Sequence, residues 1–262
     1  MLNAEIDSEE ESYYRFLVDD QHVKYVTIDA KLYPCDDMGF APALILQLPA
    51  FPAGDWNVGH ISLNPQTGHP YFAGTTRNQL PGVEHIWHAT CIDYLKLTLR
   101  EKIRSNVCEA TCPQLDGTVV AKFARFHWEI SYLDAETTAY EWIQGQGIGP
   151  KFLGHLTEEG RVIGFLMERV VEGRCAGPEE LEECREVLGR LHQLGIRHGD
   201  VDKHSFLVHE GRALVIDFEA ARKCEDPEAL EKEMGSLEGP LGDTSGRRGI
   251  LSVDEPTESV EV

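Results

Sequence analysis

The 262-residue sequence predicts an α+β chain in two parts, a strand-rich N-terminal region and a mixed region that closes on loops. Three observations lead to this reading. Through about residue 85, short apolar runs alternate with Pro and Gly, the punctuation of strands and turns. Beyond them, few segments carry helical spacing. Finally, the run from His198 to Val208 and the run from Leu214 to Glu219 place Asp200 and Asp217 at the ends of short apolar strands.

Taken in order, Tyr13 to Val18, Lys24 to Ala30, Ala43 to Leu48, Val58 to Leu63 and Tyr71 to Ala73 read as strands. The turn signals Leu48-Pro-Ala-Phe-Pro-Ala-Gly54 and Asn64-Pro-Gln-Thr-Gly68 lie between them. Phe51, Pro52 and Trp56 give this region a surface suited to packing against the second part of the chain or against a partner. Thr118 to Ala124 is an apolar strand with Lys122 in its middle, and an interior lysine requires an anionic partner. Glu136 supplies one from the first turn of a helix predicted over Asp134 to Gln144, with Ala135, Ala139, Trp142 and Ile143 inward. Ile163 to Met167 is a strand ending at Glu168. Pro178 to Leu194 is a helix, with proline in its first turn, Leu181, Cys184, Leu188 and Leu191 on one side, and Gly195 as its stop. A last helix, Pro227 to Leu237, is capped by Asp226 and turns Leu230, Met234 and Leu237 to one side.

The separation of Asp200 and Asp217 is about what a catalytic loop plus a tight hairpin needs. Phosphoryl transfer uses such a pair, one carboxylate orienting the acceptor hydroxyl and the other holding the magnesium that bridges nucleotide phosphates. In the order Lys122, Glu136, Asp200 and Asp217 the chain resembles the protein-kinase-like fold, in which such a lysine bridges the nucleotide phosphates to the helix glutamate.

His198-Gly-Asp200, with Gly where typical protein kinases have Arg, resembles the aminoglycoside and choline phosphotransferases and the RIO-type atypical kinases. Ala135-Glu-Thr-Thr-Ala-Tyr-Glu-Trp142, Gly149-Pro-Lys-Phe-Leu-Gly154, Phe165-Leu-Met-Glu168, Leu191 to His198 and Ile216-Asp-Phe-Glu219 together resemble a family of small kinase-like proteins of filamentous fungi. The similarity covers roughly residues 90 to 240. It implies a two-lobed protein-kinase-like fold with a minimal C-terminal lobe and a β-rich N-terminal extension. The implied segments are an acidic tail over 1–12, the extension over 13–88, a small lobe over 89–170 with a five-stranded sheet, a large lobe over 171–240, and a second acidic tail over 241–262, both tails disordered. It further implies ATP and Mg2+ as cofactors, Lys122 on the phosphates and held by Glu136, Asp200 as the catalytic acid-base residue, and Asp217 on the metal. Met167 and Glu168 become the adenine hinge.

Three departures accompany the resemblance. Ser205 stands where a metal-ligating asparagine is usual, a shorter and poorer ligand, and Asp202 either shares the metal or is a solvated loop acid. Glu219 replaces the glycine of Asp-Phe-Gly, which predicts loss of positive φ at that position. Crowding Asp200, Asp202, Asp217 and Glu219 raises carboxylate pKa values unless a cation is present. No glycine occurs in 97–111, where a phosphate loop belongs, so Ser105 and Asn106 form the turn over the phosphates. With so little chain after Asp217 and no Ala-Pro-Glu, the large lobe resembles that of small atypical kinases linked to tRNA modification.

The expected function is an ATP- and Mg-dependent phosphotransferase acting on a hydroxyl of a protein or small molecule. The alternative is a pseudokinase, a nucleotide-binding interaction module without turnover. A net charge of -21 disfavours nucleic acid and anionic membranes as partners. The absence of a long apolar run and the acidic start predict an intracellular protein. Seven scattered cysteines without a CxxC predict neither a disulfide framework nor a zinc site. His85 and His88, on either side of Trp87, read as ordinary interface residues.

Overall fold

The computed structural model describes residues 1–242. The tail expected over 241–262 therefore lies, from 243 onward, outside the described residues. The chain divides into two compact units. The first comprises 1–81 with 125–127 and 158–161, and the second comprises the remainder.

The first unit is a five-stranded sheet in the order β1 (Asn3–Glu5), β2 (Ser12–Val18), β3 (His22–Ile28), β4 (Val58–Leu63), β5 (Pro70–Thr76). Residues 3–5, expected within a solvated tail, pair antiparallel with Tyr13 to Arg15. The β3–β4 pair is parallel, which demands a crossover rather than a tight turn. That crossover contains α1 (Cys35–Met38) and α2 (Ala41–Gln47). The strand expected over Ala43 to Leu48 is thus a helix. Pro42 at its start and the Phe40 carbonyl, which accepts from the Ala43 and Leu44 amides, set the first turn. Leu44 faces a core of Tyr14, Phe16, Ile28, Met38, Trp56 and Ile61.

The second unit has a six-stranded sheet, one more than expected. Its order is β6 (Cys91–Asp93), β10 (Phe152–Glu158), β11 (Arg161–Glu168), β9 (Leu115–Phe123), β8 (Val107–Cys112), β7 (Thr98–Arg104). The extra member is the three-residue β6, parallel to β10. Helix α3 (Ile130–Trp142) follows β9 and begins four residues before the predicted start. Its buried side is Ile130, Leu133, Glu136, Thr137, Ala139 and Tyr140, whereas Ala135 and Trp142 are only half-buried.

Helix α4 (Leu181–Gln193) follows a 3₁₀ turn over Pro178–Glu180 and buries Cys184, Val187, Leu188 and Leu191. Gly195, at φ 66°, ends it in the left-handed conformation. Two small sheets come next: β12 (Arg174–Cys175) with β14 (Phe206–His209) and β15 (Arg212–Val215), and β13 (Ile196–Arg197) with β16 (Arg222–Lys223). Helix α5 (Pro227–Gly235) is capped by the Asp226 carboxylate, which accepts from the Glu228 amide at 3.0 Å. Here Leu230 and Met234 are half-buried, while Glu233 is buried. A four-residue helix, α6 (Glu238–Leu241), completes the described chain. Its seven cysteines are free thiols, and no helix among the described residues is long and apolar enough to cross a membrane.

Candidate functional site

Lys122 lies in β9 between β8 and β11, in register with Val107 and Phe165, and is 2% exposed. Burying an ammonium is costly unless it is paired, and three carboxylates meet this one. Its Nζ is 2.7 Å from Glu136 Oε2, 2.8 Å from Asp217 Oδ1 and 2.9 Å from Glu219 Oε1. Although burial opposes its charge, these acids outweigh that effect and hold the lysine protonated.

Glu136 reaches Lys122 from the middle of α3, not from its first turn. Burial pushes its carboxyl up to about 7 against the pull of Lys122, with the charges on Asp217 and Glu219 acting in the same direction as burial. Asp217 follows β15 in the left-handed region, at φ 61° and ψ 57°. The positive φ in this segment therefore belongs to Asp217, and Glu219 sits in the 3₁₀ turn after it. Backbone bonds from the Val215 amide to Ile148 (2.8 Å) and from the Ile216 amide to Ser205 (2.9 Å) fix the approach to that turn. Phe218 is buried and packs on Tyr140 and His198, at centroid distances of 5.3 and 5.6 Å.

Both Asp217 oxygens are engaged. Lys122 takes Oδ1, and Arg104 Nη1 donates to Oδ2 at 2.5 Å. Burial would raise this carboxyl, but the two cations bring it down to about 2. Arg104 ends β7, immediately before the Ser105–Asn106 turn. No sequence signal marks it, because a phosphate loop announces itself by glycine and this segment has none.

The His198-Gly-Asp200 loop is held from behind by Glu233. Its carboxylate accepts from the amides of His198 (3.0 Å) and Gly199 (2.7 Å) and lies 2.8 Å from His192 Nε2. Burial works against this charge, yet the His192 contact and the two amides keep the carboxyl below its ordinary value. Gly199 adopts φ 90°, and a Cβ there would lie 2.5 Å from the Ala220 carbonyl oxygen, so no other residue fits. Glu233 is likewise silent in sequence, where a glutamate on a short helix reads as solvated.

Asp200 and Asp217 line one cavity of about 320 Å³, together with Arg104, Asp202, Ser205 and Glu219. Asp202 Oδ1 accepts from the amides of His204 (2.7 Å) and Ser205 (3.0 Å), capping a 3₁₀ turn. Ser205 Oγ donates to the Asp200 carbonyl at 3.0 Å and accepts from the Asp202 amide at 3.1 Å. The loop itself thus occupies much of the bonding capacity of both groups. Ser105 and Asn106 form the β7–β8 turn, and the Asn106 carbonyl accepts from the Phe123 amide at 3.0 Å. They lie outside the cavity lining. So do Met167, buried with its sulfur 3.2 Å from the Tyr140 hydroxyl, and Glu168, which faces a separate cavity of about 900 Å³ with Lys151 and Arg190.

As a donor set, Asp200, Asp202, Asp217 and Glu219 offer oxygen alone, which suits a hard cation such as magnesium. They do not form a preassembled cage. Among the described residues, the trio of ligand atoms within 4.8 Å of one another is Glu11, Asp29 and His60 in the first unit. Magnesium commonly takes only one or two protein carboxylates and completes its shell with phosphate and water, so these acids fit it.

No family model matches the chain. It is 29% identical over 139 residues to a "probable bifunctional tRNA threonylcarbamoyladenosine biosynthesis protein" of Methanospirillum hungatei, covering 53% of this chain and 25% of that protein. Over 71 residues it is 36% identical to the RIO-type serine/threonine-protein kinase Rio1 of Haloferax volcanii (27% and 24%). Over 69 residues it is 35% identical to the KEOPS complex subunit Bud32 of Pyrococcus abyssi (25% and 31%). The chain thus spans about a quarter to a third of the length of these relatives. All three are atypical kinase-like proteins and support a kinase-like fold, on the RIO side of the resemblance.

Proposed function

We propose that the chain is an ATP- and Mg-dependent phosphotransferase with a two-lobed kinase-like architecture and a minimal large lobe. The observation that carries this reading is the meeting of Lys122 with Glu136 and Asp217 at 2.7 and 2.8 Å, beside a cavity that Asp200 and Asp217 share. In this reading Lys122, oriented by Glu136, neutralises phosphate charge. Asp217 holds magnesium, with Asp202 and Ser205 contributing through water. Magnesium supplies charge neutralisation across the phosphates. Asp200 accepts the proton of an acceptor hydroxyl and aligns it for attack, and positioning and electrostatics supply most of the rate. Met167 and Glu168 as the adenine edge, and Ser105 and Asn106 as the turn over the phosphates, complete the reading, although all four lie outside the lining of the cavity that Asp200 and Asp217 share. Such a protein works inside a cell, where ATP is available. The acceptor is a hydroxyl of a protein or small molecule, and the Bud32 similarity supports a protein partner.

A second reading, a nucleotide-binding module without turnover, draws on the two cations that already occupy Asp217 and on the internal bonds of Ser205. Thermal stabilisation by MgATP, followed by a turnover assay of wild type and Asp200→Ala, separates the two. Asp200-dependent phosphate release or transfer supports the enzyme. Stabilisation without it leaves the module, and no stabilisation at all removes both.

A further inference from the structure

The β7–β8 hairpin poses a chemical problem that its residues also answer. A loop over phosphates ordinarily offers backbone amides at close range, which glycine permits. Residues 97–111 contain no glycine, and the turn's Asn106 carbonyl is tied to the neighbouring strand at Phe123. What this hairpin presents to the cavity is a guanidinium, that of Arg104. Its planar fork matches phosphate oxygens better than any single amide.

The same guanidinium stands in the way of a metal. With Lys122 on Oδ1 and Arg104 on Oδ2, Asp217 has a protein cation on each oxygen. Lone pairs remain on both oxygens, but a divalent ion approaching them meets the charge of two cations, and it binds more tightly if one is released. Lys122 cannot readily leave, being 2% exposed and shared among three carboxylates. Arg104 can, because its side chain is 31% exposed and lines the cavity.

Resting on the phosphotransferase reading, we propose that Arg104 is a phosphate-binding residue that exchanges partners. Without nucleotide it neutralises Asp217. When a nucleoside triphosphate enters, its phosphates draw the guanidinium away, and the divalent ion that accompanies them takes the freed Oδ2. No covalent bond is made or broken in the exchange; each anion trades one cation for another. Nucleotide and metal binding are coupled in consequence. The ion alone meets an acid already neutralised, and nucleotide alone must pull Arg104 away without returning a cation to Asp217.

The test measures Mn2+ binding in the absence of nucleotide, by electron paramagnetic resonance, and MgATP binding by calorimetry. Wild type, Arg104→Gln and Arg104→Lys are compared. Arg104→Gln is expected to bind Mn2+ about tenfold more tightly and MgATP about tenfold more weakly, the scale of one charge-assisted hydrogen bond. Arg104→Lys, which keeps the charge without the fork, is expected to fall between and guards against a misfolded glutamine variant. If wild type binds MgATP and both variants match it in MgATP and Mn2+ affinity, the exchange is wrong while the phosphotransferase reading stands. Tighter Mn2+ without weaker MgATP also overturns it, since Arg104 then touches no phosphate. Wild type that binds no MgATP overturns both.

Discussion

Glu158 in the first unit sits among Arg15, Arg161 and Tyr25; Lys122 in the second sits among Glu136, Asp217 and Glu219. The first group has one carboxylate for two guanidiniums. Arg15 Nε donates to Glu158 Oε2 at 2.9 Å, and Arg161 Nη2 and the Tyr25 hydroxyl donate to Oε1 at 2.7 and 2.6 Å. Glu158 is 2% exposed and Arg15 fully buried. Burial would lift the Glu158 carboxyl, but Arg15 and Arg161 prevail and hold it below its ordinary value. Held on both oxygens, that one carboxylate acts as a staple between the two guanidiniums. The second group has the opposite surplus, with three acids around one ammonium, and Arg104 adds a second cation at Asp217. Two of its acids, Asp217 and Glu219, border a cavity, and the third, buried Glu136, is displaced upward in pKa. Both groups border a cavity; the first carries one more cation than acid and the second one more acid than cation, so the second is the one suited to a cation from outside.

The contrast can be broken most forcefully at Asp200. Asp200→Ala is expected to cut phosphate transfer by about 10²–10⁴-fold without moving the urea midpoint, because that side chain is exposed. A parallel loss of stability would make the loop acid structural. Glu158→Gln is expected to do the opposite. It leaves Arg15 buried without its anion and costs about 3–5 kcal/mol in urea unfolding, with MgATP affinity untouched. A cost below about 1 kcal/mol, the scale of a surface pair, would end the staple description.

A third comparison uses pH. The folded pKa of Glu136 lies above its ordinary 4.5, so its contribution to stability is full below that value and is lost as pH rises through about 7. Asp217 has the opposite sign, its contribution being present above pH 3.8 and lost as pH falls toward about 2. Unfolding free energy measured from pH 5 to 8 is therefore expected to carry a downward component that Glu136→Gln abolishes, and an unchanged slope in the variant would refute it. The smallest effect is expected of Tyr25→Phe. It removes the hydroxyl that donates to Glu158 and accepts from Arg161 at 2.6 Å, for about 1 kcal/mol in the same unfolding measurement.

Much of the second unit was legible because its signals are local. Lys122 interrupts an apolar strand, and Asp217 ends another. The placement of Glu136 went astray for a physical reason. The buried side of α3 contains Glu136 and Thr137, so its apolar periodicity is broken, and Ala135, Ala139 and Trp142 suggested a face turned by one residue. Helix α2 was read as a strand because Ala43 to Leu48 is a short apolar run, and length alone could not choose its period. Arg104 and Glu233 could not be found in sequence, since each acquires its meaning from a partner far along the chain. Arg15 and Glu158, 143 residues apart, are the extreme case.

One carboxylate on α5 pegs the peptide groups on which Asp200 is mounted, from 34 and 35 residues further along. A shortened chain ending after β16 would retain Asp200 and its neighbours in sequence, but two amides and the His192 ring would lose the carboxylate they meet. Helix α5 is thus the foundation of the Asp200 loop rather than a trailing appendage, and damage to it would be felt as misalignment of that carboxylate.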